Sequence, residues 1–104
     1  MADFVKRRAR QFRQIGAEYG RDLAAALVLA VEDGAERDTE QRMVQIVLRE
    51  IMAAVQRFRS AGIPELLVAT YERACRESCL EQLLPAIERR YGQAGVMRAT
   101  QVAA

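Results

Sequence analysis

Read as a helix, the first 31 residues change character halfway along. From Phe4 to Arg21 the pattern is one-sided: Phe4, Val5, Phe12, Ile15 and Tyr19 share one face, and Lys6, Arg10, Arg13 and Arg21 share the opposite one. From Leu23 to Val31 the run LAAALVLAV is apolar on every side. A helix with one apolar stripe lies on a surface, whereas one that is apolar all round is enclosed by neighbours. The pattern predicts a basic amphipathic arm over residues 1–21, continuous with a buried core helix over residues 22–33. Arg8 falls in the centre of the arm's stripe, where only a paired charge or an incompletely buried arm makes sense.

Residues 33–38 break this pattern, and Gly34 suits the position just past a helix end. Asp38 or Thr39 can cap a second helix, with Gln41 placed three residues after Asp38 as in a capping box. In that helix, running to about Ser60, Val44, Val47, Leu48, Ile51, Val55 and Phe58 form one strong stripe. Ile46 and Ala53 fall off the stripe and suggest a thin second contact line. Ala61-Gly62-Ile63-Pro64 is the clearest turn in the chain, with Gly62 for a left-handed helix end and Pro64 for the first position of the next helix. So short a link makes the second and third helices an antiparallel hairpin.

The third segment, Pro64 to Tyr91, changes face along its length. Leu67, Val68, Tyr71, Ala74, Cys75 and Ser78 point one way; Leu80, Leu83, Leu84, Ile87 and Tyr91 point another. Either the helix breaks or its two halves meet different neighbours. Ser78-Cys79-Leu80-Glu81 fits the S-x-x-E of a restarted helix, and Pro85 removes a backbone donor. A kink between Ser78 and Pro85 is the favoured expectation. After Gly92 no stripe is visible, which predicts a flexible tail over residues 93–104. The expected fold is therefore all-α, a small helical bundle of three long helices, or four if the third breaks near Ser78–Pro85. Residues 1–92 form its single domain. A first helix of about 42 Å would outreach a second of about 33 Å and leave part of its stripe uncovered.

Composition sharpens this only in places. With 51% hydrophobic and 29% charged residues the chain is globular rather than disordered. The net charge of +2 hides a dipolar layout: six basic and two acidic groups in residues 1–21, three basic and seven acidic in residues 22–50. Such a layout can orient self-association or steer an anionic partner. The Leu23–Val31 run is shorter than the roughly 20 residues that span a bilayer. No secretory signal is legible, so a cytoplasmic location is the default and membrane attachment the weakest option.

The candidate chemistry is thin. Absence of histidine removes the commonest general base and metal ligand. Cys75 and Cys79 stand one helical turn apart, but no third Cys or His completes a tetrahedral metal site. They read as small buried hydrophobes. Acidic pairs such as Glu77/Glu81 and Glu36/Glu40 read as solvated helix charges. Gly16-Ala17-Glu18-Tyr19-Gly20 matches G-x-x-x-G, whose simplest reading is a bend and whose sharper one is close packing against a second copy.

These readings point away from an enzyme and imply no cofactor or metal. They favour a helical interaction or adaptor protein, a homodimer with a protein partner, whose dimer contacts are Phe4, Arg8, Phe12, Ile15 and Tyr19. The second candidate is a small nucleic-acid-binding or regulatory protein. Lys6, Arg7, Arg10, Arg13 and Arg21 are the contact residues for a partner or for nucleic acid. No helix-turn-helix spacing, zinc finger or aromatic RNA platform accompanies them.

Overall fold

A computed structural model describes residues 2–32 and 40–103, and among these the chain is all-α. Helix α1 spans Ala2–Glu32, α2 spans Glu40–Ser60, and α3 spans Glu65–Ala103. The expected break after residue 32, with Gly34 and the Asp38 or Thr39 cap, lies outside the described residues, as does the Glu36 side of its acidic pair. Among the described residues no helix is long and apolar enough to cross a membrane.

The α2–α3 turn follows from its residues. Gly62 takes φ 79°. Its N–H donates to the Arg59 carbonyl at 3.0 Å, and the Ile63 N–H donates to the Phe58 carbonyl at 3.1 Å. That pair of bonds is the Schellman helix end, which needs a left-handed residue where the glycine stands. The Pro64 carbonyl accepts from Leu67 and Val68. Proline is thus the capping residue just before Glu65, rather than the first helical residue expected from sequence. Arg59 spans the turn with two bonds to the Glu65 carboxylate, at 3.1 and 2.7 Å.

Helix α1 runs parallel to α3 and packs closely against it. A Cβ at Gly16 would lie 2.6 Å from the Tyr71 carbonyl oxygen, and one at Gly20 would collide with the Cys75 carbonyl. The Ser78 hydroxyl donates to the Ala17 carbonyl at 2.8 Å. The glycines therefore neither bend the helix nor meet a second copy; they let α1 approach α3 of the same chain. Ser78, expected to cap a restarted helix, ties the two helices together instead.

Phe12, Phe58 and Tyr71 join all three helices. The Phe12–Phe58 centroids are 5.6 Å apart and the Phe58–Tyr71 centroids 4.8 Å, both edge-to-face. Around them Val44, Val47, Ile51, Val55, Val68, Leu83 and Ile87 are fully buried. Of the expected second line of α2, Ile46 is half-buried and Ala53 exposed; Glu40, Met43 and Ala54 are buried beside the main stripe.

The break in α3 is not at Ser78–Pro85. The helix passes through Pro85, which lies exposed, and turns at Gly92 with φ 73° and ψ −171°. Residues 93–103, expected as a flexible tail, are helical and fold back over the bundle. Arg76 donates to the Ala103 carbonyl at 2.6 Å. Gly95 packs on Tyr91 and Ile87, and Ala99 is fully buried. The change of face in α3 thus reflects different neighbours: residues 71–79 meet α1, while Ile87 and Tyr91 meet the returning segment at Gly95.

The expected division of α1 also changes. Phe12, Gly16, Gly20 and Ala24, spaced every four residues, are its buried line. In the apolar run Leu23, Leu27 and Val28 are half-buried, Ala25 and Ala26 are exposed, and Leu29 is 62% exposed. The presumed arm is packed along α3, and the presumed core end is open on one side. Backing by a parallel helix covers a stripe, not a whole circumference.

Candidate interaction surface

The five residues expected to make the dimer contact separate into two groups. Phe12 turns inward onto Phe58, and Tyr19 stacks on Tyr71 with centroids 6.3 Å apart. Both serve the chain's own core. Phe4, at 65% exposure, and Ile15, at 50%, remain on the surface. Arg8 is exposed, its guanidinium carbon 5.5 Å from the Phe12 ring centre. A cation over an aromatic face is the accommodation that a charge inside an apolar stripe requires.

Where α1 starts and the α2–α3 turn ends, a groove of about 370 Å³ is lined by Phe4, Val5, Arg8, Pro64, Leu66 and Leu67. Five of the six are apolar. Leu66 is itself 64% exposed. Sequence reasoning missed the α3 wall of this groove. The signal was the run Leu66-Leu67-Val68, since three consecutive apolar residues on a helix cannot all face one core.

The basic set stays on the surface: Lys6, Arg7, Arg10, Arg13 and Arg21 are all exposed. Arg13 shares a cavity of about 230 Å³ with Arg73 and Glu77 of α3, so the basic face of α1 continues onto its neighbour.

The groups with reactive potential are sequestered. Cys75 and Cys79 are unpaired and fully buried. Burial pushes the Cys79 thiol up to about 11. Burial also raises Cys75, against a hydrogen bond from the Tyr71 hydroxyl that pulls it down. A thiolate, the nucleophilic form, is thereby disfavoured. Among the described residues no three His, Cys, Asp or Glu side chains are grouped to hold a metal.

One ionic contact had no sequence signal. Glu40, at 5% exposure, accepts a hydrogen bond from Arg98 of the returning segment. Burial alone would raise its pKa, but the Arg98 bond, the local backbone and the guanidinium charge together hold it below the ordinary 4.5. The two residues are 58 apart in sequence, and the contact exists only because α3 reverses at Gly92. Compared with known proteins, the chain matches no protein-family model, no curated protein and no solved structure.

Proposed function

We propose that this chain is a non-enzymatic helical interaction protein, cytoplasmic, acting as a homodimer that binds a protein partner. The observation that carries the reading is the apolar surface left on α1 after its own fold is complete: Phe4, Ile15 and Leu29 are each at least half exposed. Fully burying side chains of this size is worth about 1.5–3 kcal/mol each, enough to drive association if several are covered together. The buried, protonated thiols and the lack of histidine support a binding role rather than a catalytic one.

Deleting residues 1–21 would be a poor test, because Phe12, Gly16 and Gly20 belong to the core. A surface change serves better. Light scattering should give twice the chain mass for the wild type and the single-chain mass for I15D, with unchanged helical circular dichroism. Equal masses for the two proteins would remove α1 from the contact.

A second reading, nucleic-acid binding, is favoured by the exposed row Lys6, Arg10, Arg13 and Arg73. Attraction of that kind weakens steeply with salt. If K6E/R10E/R13E leaves DNA and RNA affinity unchanged, this reading is eliminated.

A further inference from the structure

Resting on the homodimer reading, we propose that the partner covering α1 is a second copy of this chain, docked α1 against α1 in antiparallel register with Ile15 on the two-fold axis. The argument begins with the exposed face. At about 100° per residue, Phe4, Arg8, Gln11, Asp22, Ala26 and Leu29 all lie within about 40° of Ile15. All six are exposed, as is Ile15 itself.

The face is also patterned about its centre. Seven residues before Ile15 stands Arg8, and seven after it stands Asp22. Eleven before it stands Phe4, and eleven after it Ala26. An antiparallel two-fold pairing centred on Ile15 brings Arg8 opposite Asp22 of the partner subunit, and Asp22 opposite the partner's Arg8. The same operation sets Phe4 against the partner's Ala26, about 16 Å from the axis at each end. Every contact off the axis is made twice, as an isologous interface requires.

A parallel pairing does the opposite. It would stack Arg8 on its own copy and Asp22 on its own copy, two like-charge contacts. Charge along α1 agrees, because residues 2–21 carry a net +4 and residues 22–32 a net −2. The antiparallel arrangement sets the basic end of each subunit beside the acidic end of the other. Phe4 and Arg8 also line the groove with Leu66 and Leu67. The Leu23–Leu29 end of the partner therefore comes to lie over that groove, so that one contact covers both.

Variants of the full chain with one added cysteine read this register directly, since the native Cys75 and Cys79 are buried. A disulfide forms only between Cα atoms closer than about 7 Å. Under copper–phenanthroline oxidation I15C should cross-link to itself, and a mixture of R8C and D22C should cross-link to each other. R8C alone should not, because the two positions lie about 21 Å apart along an antiparallel pair. Independently, R8D and D22R should each weaken the dimer about tenfold, and R8D/D22R together should restore it.

Cross-linking of R8C with itself, or failure of I15C in a protein whose wild type is dimeric, overturns the antiparallel seam and leaves the homodimer standing. A wild type that stays monomeric throughout overturns the homodimer as well.

Discussion

Single residues decide how closely α1 and α3 approach. At Gly20 any side chain would enter the Cys75 carbonyl, which is backbone and cannot swing aside. G20V should therefore destabilise the fold by about 1–3 kcal/mol, read as a lower urea midpoint. Glu40 adds a pH dependence with a definite sign. Its folded pKa lies below the ordinary 4.5, so its contribution is fully present above that value and is lost as pH falls below it. E40Q should cost about 1.5–3 kcal/mol at pH 7, the worth of a hydrogen bond to a charged group. Because Arg98 is half exposed, the lower end of that range is expected. The variant should also lose less stability than wild type between pH 4.5 and 3; equal acid sensitivity in urea titrations would contradict the assignment.

At the scale of elements, legibility followed the reach of the chemistry involved. The α2 stripe and the Gly62 turn were readable because period and turn residue act over a few positions. The partner of Gly16 and Gly20 was not, since G-x-x-x-G announces close approach without saying to what. The segment 93–103 looked featureless because its contacts use small residues, Gly95 and Ala99, which leave no hydrophobic stripe. Pro85 misplaced the break: a proline on an exposed face is carried within the helix, whereas Gly92 occupies a backbone region open essentially to glycine alone. G92A meets no atom within 4 Å of its new Cβ, so its cost should be conformational, about 1–3 kcal/mol. Hydrogen exchange should show faster exchange across residues 93–103 in that variant, with the amides of α1 affected less.

Across the whole molecule, the fold satisfies its described interior and leaves apolar side chains of α1 exposed. Every buried side-chain nitrogen and oxygen among the described residues has a partner. The elongated body, 50 Å along its axis and about 22 Å across, carries α1 along nearly its full length, so a helix-on-helix dimer can use most of that edge. The set expected as dimer contacts is divided by the fold: Phe12 and Tyr19 pack within the chain's own core, whereas Leu29 and Leu66, outside that set, lie exposed. The most direct test is the solution mass of the unmodified chain by sedimentation equilibrium over a wide concentration range. Self-association through α1 predicts a species of twice 11.7 kDa that dissociates more readily at high salt. A constant 11.7 kDa at every concentration would contradict it.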